Sequence, residues 1–249
     1  MVRHCILLSK LSKLDIPPVI HNWIIAFLTG RSPVCKTSGG RVSVLLPITG
    51  SIIQGLGLGP TLWLVMARDL HPLSDVNIIV KYADDVNLLI PEKTDIQLHD
   101  EFAYIQQWAD KNGMVLNLHK TKEIVFHRPH PSKFCLPLPL EGIERVQTAK
   151  LRGLVFQGCF SFVTHVDGTL KLCNQQIFLL KQLRDQGIPL QQLHVIFQAI
   201  ILNHITYAIP TWGRFVSADL WQKIKAFLKR SWRYRFIIII IIIIKMQDL

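Results

Sequence analysis

Two adjacent carboxylates between two short apolar runs are the residues best placed to do chemistry in this chain. Asp84 and Asp85 end the tetrapeptide Tyr82-Ala83-Asp84-Asp85. Asn77-Ile78-Ile79-Val80-Lys81 precedes it and Val86-Asn87-Leu88-Leu89-Ile90 follows. The flanks are short and β-branched, which predicts two strands. Both aspartates then fall on the tight turn of a β-hairpin. Like charges this close repel each other. A cation that neutralises the turn explains it most easily, and a divalent metal with oxygen ligands is the natural choice.

The elements around the hairpin follow from apolar spacing and breakers. Residues 4–14 and 18–29 have helical spacing, with Pro17-Pro18 between them and Pro18 suited to a helix start. Short strands at Val34 to Thr37 and Val42 to Leu46 flank Ser38-Gly39-Gly40. A glycine-spaced loop, Gln54-Gly55-Leu56-Gly57-Leu58-Gly59-Pro60, leads into an apolar helix to about Leu70. Residues 95–111 predict an amphipathic helix stopped at Asn112-Gly113. Strands are expected at Glu123 to Phe126 and Leu151 to Phe156, on either side of a proline-rich connection from Pro129 to Pro139. Helices are expected over 161–186, 190–206 and 217–235. Mixed α/β followed by helices predicts an α+β domain and then a helical one.

The 249 residues can bury a substantial core, and 49% hydrophobic content excludes a disordered chain. Five scattered cysteines without a Cys-x-x-Cys pair predict reduced thiols in an intracellular compartment, with nucleus and cytoplasm not distinguished. No signal peptide is evident, and no apolar run approaches the roughly 20 residues of a membrane span. No membrane partner is therefore expected, and nothing in the sequence sets an oligomeric state.

The net charge of +11 is unevenly spread. Residues 145–236 hold 13 lysines and arginines against 3 carboxylates, whereas residues 1–144 hold 14 against 13. A basic second half predicts a polyanionic partner, most commonly nucleic acid. His127-Arg128-Pro129-His130 and Cys135 match no zinc spacing and read as a polar loop. Ile237 to Ile244 is an unbroken run of eight isoleucines, too short to span a bilayer and an aggregation hazard if exposed. We read it as translated simple-sequence DNA.

Tyr82-Ala83-Asp84-Asp85, with Gln54-Gly55 and Leu58-Gly59-Pro60 upstream, resembles a reverse transcriptase of the non-LTR (LINE-like) retrotransposon kind. Trp108, Gly113-Met114, Leu116-Asn117, Lys120-Thr121-Lys122-Glu123 and Phe126 extend the resemblance downstream. It implies a polymerase palm, an antiparallel sheet with packed helices, over residues 1–145. A primer-grip strand and a mostly helical thumb would occupy 146–236, and the isoleucine tail 237–249. The implied reaction joins deoxynucleoside triphosphates to a DNA primer on an RNA template, with two Mg²⁺ ions in the complete enzyme. Such ions stabilise the attacking 3′-hydroxyl and the leaving pyrophosphate.

The resemblance also implies roles. Asp84 would be a direct metal ligand and Asp85 its support. Tyr82 would lie near the primer end, or else merely pack. Gln54, Gly55 and Gly59 would approach nucleotide or template, although Leu56 stands where the family usually has Ser. Lys120 would act near the triphosphate as a cation or proton donor, with Lys122 a close neighbour. Gly153 belongs to the expected primer grip, where Arg152 replaces a Leu. An unpaired arginine in an apolar position would be costly unless it points out to phosphate. Lys225, Lys229, Arg230 and Arg233 would meet the nucleic-acid backbone, while Trp221 and Trp232 are expected in the core, with base stacking as the alternative.

The family's site also needs an aspartate on an earlier strand. Residues 1–68 contain one acidic residue, Asp15, in Leu14-Asp15-Ile16-Pro17, which predicts a helix end or turn. Asp69 likewise reads as structural. The chain is thus expected to begin just inside the palm, without fingers, first metal ligand or endonuclease domain, and to be inactive alone. The alternatives are a non-catalytic nucleic-acid-binding remnant of a transposable element and an unstable relic.

Overall fold

Proline, glycine and apolar spacing set where the elements start and stop. The structure is a computed structural model that describes residues 2–32, 34, 36, 38–45, 48, 50–52, 57–128 and 136–237. The chain divides into two units, Met1–Leu118 and His119–Leu249. The architecture is α+β.

In the first unit, α1 (His4–Leu11) precedes α2 (Pro18–Leu28). Pro18 occupies the first turn of α2, where a missing amide hydrogen costs nothing. α3 (Leu58–Met66) comes next. Leu7 and Leu11, Ile24 and Leu28, and Leu62 and Met66 are pairs spaced by four residues, and their buried faces meet in one core. Asp15 is exposed in the connection between α1 and α2, outside any strand. Of the hairpin expected at 34–46, the described residues keep one bridge, Lys36 with Val42.

β1 (Ile78–Tyr82) pairs antiparallel with β2 (Asp85–Leu89) over five residue pairs. α4 (Leu98–Lys111) follows and stops at Gly113, whose φ is +64. That left-handed conformation suits glycine.

In the second unit, β3 (Lys122–Glu123) pairs parallel with β4 (Glu144–Arg145). The strand expected to reach Phe126 is cut to two residues. Beyond Glu123 the backbone turns to another partner, with the His127 amide donating to the Gly158 carbonyl at 2.8 Å. The single strand expected from Leu151 to Phe156 is two strands, β5 (Thr148–Leu151) and β6 (Leu154–Gln157). Between them Arg152 and Gly153 have φ of +51 and +85. Positive φ at both central residues matches the twist of a two-residue hairpin.

α5 (Val163–Asp185) and α6 (Leu190–Ile196) flank Gly187, and α6 continues through a π-helical turn, Phe197–Leu202, into α7 (Asn203–Thr206). α8 (Ile209–Trp212) and a 3₁₀ turn, Gly213–Phe215, lead to α9 (Ala218–Arg233). Leu190–Phe215 is long and apolar enough to cross a membrane by length and composition, although polar residues interrupt its apolar run. Here Leu193, Phe197, Ile201, Ile205 and Trp212 of this segment are buried in the core of the unit.

His165 is part of the same interior. Its ring meets Trp212 at 5.3 Å and Phe162 at 6.3 Å, and its Nε2 is buried without a hydrogen-bond partner among the described residues. Burial lowers its pKa from 6.5. The unfolded chain then binds protons more readily at this site, so its contribution to stability is present above about pH 6.5 and is lost as pH falls. We expect urea midpoints to drop from pH 7.5 to pH 5.5, and His165→Gln to flatten that dependence. An identical pH dependence in both proteins would contradict this.

Candidate active site

The hairpin that carries the carboxylates is fixed at its open end. Asn77 stands just before β1, and its amide donates to the Ile96 carbonyl at 3.0 Å and to Glu101 Oε1 at 2.9 Å. Its carbonyl oxygen accepts from the Thr94 hydroxyl at 2.7 Å. One side chain thus ties the approach to β1 to the exit from β2. Glu101, on α4, is fully buried. Its carboxylate also accepts from the amides of Leu73 at 2.9 Å and Ser74 at 3.0 Å. Burial alone would raise the Glu101 pKa, but hydrogen bonds from Asn77, Ser74 and Leu73 outweigh it and hold the carboxyl below its ordinary 4.5.

A second tie lies near the turn, one residue pair before Tyr82 and Asp85. Lys81 Nζ donates to the carbonyls of Ala67 and Leu70, both at 2.8 Å, just past the end of α3. Ala67 is the C-cap of α3, where the negative end of the helix favours a cation. Asp69 joins the same seam as a structural residue. It accepts from Lys10 of α1 at 2.5 Å and from Trp108 Nε1 of α4 at 3.0 Å. Burial raises its pKa, but the Lys10 and Trp108 hydrogen bonds and the Lys10 charge leave it below 3.8.

From the Asn77 anchor the ribbon runs roughly 17 Å to Tyr82 at the rise of an antiparallel strand. The turn is Ala83-Asp84, so only one aspartate is a turn residue. Asp85 is the first residue of β2 and pairs with Tyr82. The expectation that both lie on the turn is corrected by this two-residue loop. Ala83 has φ +50, a left-handed conformation that costs an L-residue about 1–2 kcal/mol. Tyr82, Asp84 and Asp85 are all exposed, with Tyr82 at 63%.

Among the described residues no three His, Cys, Asp or Glu side chains converge on one point. Asp84 and Asp85 offer hard oxygen donors of the kind magnesium takes, and water and substrate phosphate would have to fill its remaining positions.

The other expected site residues fall on separate elements of the two units. Gln54 and Gly55 lie outside the described residues. Gly59 is the second residue of α3. Lys120 is exposed in a turn of the second unit, and Lys122 forms an ion pair with Glu144. Gly153 fills a turn where a Cβ would meet the Tyr207 ring at 3.2 Å, and the Tyr207 hydroxyl donates to the Arg152 carbonyl at 2.8 Å. The Arg152 side chain is on the surface, not in an apolar site.

Lys225, Lys229 and Arg233 recur every fourth residue on the exposed side of α9, opposite buried Leu220, Ile224, Phe227 and Leu228. Arg230 lies at the seam with α5 instead, donating to Asn174, while Lys223 pairs with Asp167 at 2.8 Å. Trp221 is half-buried against Trp212 at 6.2 Å, and Trp232 is 41% exposed.

The family model described as reverse transcriptase (RNA-dependent DNA polymerase) matches residues 1–156. The chain belongs to the reverse transcriptase family. It is 27% identical over 232 residues to the RNA-directed DNA polymerase from mobile element jockey of Drosophila melanogaster, covering 85% of this chain and 24% of that protein. The corresponding polymerase of Drosophila funebris is 25% identical over 228 residues, with the same shares. The non-LTR, LINE-like kinship expected from the motifs agrees with both matches. The chain spans about a quarter of the length of these curated relatives. No solved structure matches it.

Sequence reasoning missed Glu101, Asn77 and Lys81. The one signal for Glu101 was its place on the apolar face of α4, four residues before Ile105 and eight before Ala109, both buried. Glu101→Ala leaves three donors without their acceptor. We expect it to cost roughly 3 kcal/mol or more in urea unfolding. The native carboxylate's contribution should be present above about pH 4.5 and lost below it. A loss under about 1 kcal/mol would contradict the anchoring role.

Proposed function

We propose that this chain is part of an RNA-directed DNA polymerase of a non-LTR retrotransposon, with palm residues over 1–145 and thumb residues over 146–236. The observation that carries the reading is the hairpin itself, with Asp84 at the tip, Asp85 beside it and a buried anchor at the base. Phosphoryl transfer asks the protein mainly for positioning and charge stabilisation. In the reaction, a primer 3′-hydroxyl attacks the α-phosphorus of a deoxynucleoside triphosphate and pyrophosphate leaves. Asp84 would hold Mg²⁺ directly, with Asp85 supporting. Bound Mg²⁺ would supply Lewis acidity toward the attacking and leaving oxygens. Tyr82, exposed next to the pair, is suited to the primer end, and Lys120 to the triphosphate charge.

The β5–β6 turn around Gly153 is the proposed primer grip. Lys225, Lys229 and Arg233 form a stripe suited to backbone phosphates, with Arg230 contributing from its edge. A binding role without chemistry is the second reading. It is favoured by the basic stripe occurring with a carboxylate pair that no third ligand joins among the described residues.

By itself, then, the chain should extend an oligo(dT) primer on poly(rA) with Mg²⁺ little or not at all. Robust extension abolished by Asp84→Asn would overturn the proposed inactivity and support the catalytic reading. Duplex binding should weaken steeply with salt, and Lys225→Gln, Lys229→Gln and Arg233→Gln together should reduce the slope of log affinity against log salt by roughly 2–3. Absence of salt-dependent duplex binding would contradict both readings.

A further inference from the structure

The second unit carries an aromatic row that neither the proposed chemistry nor the core accounts for. Phe126 and Phe160 stack at 4.5 Å and 30°, and Phe160 and Phe215 at 5.7 Å and 28°. The three rings are 37%, 43% and 54% exposed. Beneath them lie Phe156 and Phe162, in edge contact with each other at 5.5 Å. Phe156 meets Phe126 at 6.3 Å and Phe162 meets Phe215 at 6.0 Å. The inner pair holds the outer row in place.

Phe160, in the middle of the row, has φ +54. The turn that precedes it imposes this. Gly158 donates to the Gln147 carbonyl at 3.0 Å and accepts from the His127 amide, and a Cβ on it would stand 2.8 Å from the Val125 carbonyl. The Phe160 amide closes the turn on the Gln157 carbonyl at 2.9 Å. A bulky ring at the surface in a left-handed conformation costs stability through strain and gains little from burial. Such outliers cluster at ligand-binding positions.

The setting is basic. Exposed Arg128 follows Phe126 by two residues, and exposed Arg214 directly precedes Phe215. The segment from 145 to 236 carries ten more positive than negative side chains. We propose that the Phe126–Phe160–Phe215 row is a stacking platform for unpaired bases of a single-stranded nucleic acid. This rests on the nucleic-acid reading above and adds the site and the strand state. Aromatic rings within a basic surface are how proteins hold single strands without reading sequence. In a duplex the base faces are already stacked on one another. The ends of the row and the exposed ring of Phe215 are therefore matched to single strands.

The test titrates the full chain with labelled dT₁₂, rU₁₂, an abasic 12-mer and a blunt duplex, read by fluorescence anisotropy. The base-bearing strands should bind roughly tenfold or more tightly than the abasic one. A difference between dT₁₂ and rU₁₂ identifies the preferred sugar. Phe126→Leu and Phe215→Leu, which remove the two end rings but keep apolar bulk, should each weaken single-strand binding roughly tenfold. Duplex binding should stay unchanged and the cooperative urea transition should persist, and Phe160→Tyr should bind as the native chain does. Equal binding of base-bearing and abasic strands would overturn the platform, as would leucine variants that bind as the native chain does. Salt-dependent duplex binding that persists in that case leaves the nucleic-acid reading intact, whereas loss of all binding overturns both.

Discussion

The buried carboxylate of Glu101 is the constraint on which the candidate site depends. A charge removed from water is tolerated only when its oxygens are fully occupied. Here two backbone amides and the Asn77 amide occupy them. Those donors belong to the residues that feed β1, so satisfying the charge fixes where the ribbon begins. Two strands with no third partner among the described residues are marginal by themselves. Glu101 at the base and Lys81 beside the turn tie the ribbon to α4 and to the residues that follow α3.

That arrangement separates the part of the hairpin that must be rigid from the part that must meet water. Polar side chains near the base are engaged with protein partners, and the carboxylates at the tip are exposed. Ile78, Val80 and Tyr82 alternate along the exposed face of β1, while Ile79 and Lys81 are half-buried on the other. The left-handed Ala83 lets the chain reverse in two residues and keeps Asp84 next to Asp85. Local strain at the tip is thus balanced by hydrogen bonding at the base.

Much of this was legible from residue types. The hairpin followed from β-branched runs around a short polar break, α2 from Pro18, the end of α4 from Gly113, and the long helices of the second unit from their apolar spacing. What was not legible depended on distant partners. Glu101 accepts from amides 27 and 28 residues away, and such acceptors leave no mark in local sequence. The β5–β6 turn was hidden because Arg152 is a poor candidate for positive φ, even though Gly153 beside it is a good one. The four basic residues of α9 looked equivalent until packing put Arg230 against Asn174 and left Lys225, Lys229 and Arg233 in one row. Family kinship was carried by motifs, whereas the ties that position them are particular to the packed chain.

Paramagnetic broadening by Mn²⁺ tests the central claim most directly, because it reports where a divalent cation sits whether or not the chain polymerises. In amide NMR spectra of the native chain, substoichiometric Mn²⁺ should broaden residues 82–86 first, and Asp84→Asn should abolish that effect while leaving the rest of the spectrum in place. Broadening centred elsewhere, or unchanged at the turn in Asp84→Asn, would contradict an account in which the anchored hairpin exists to present its acid pair to a metal.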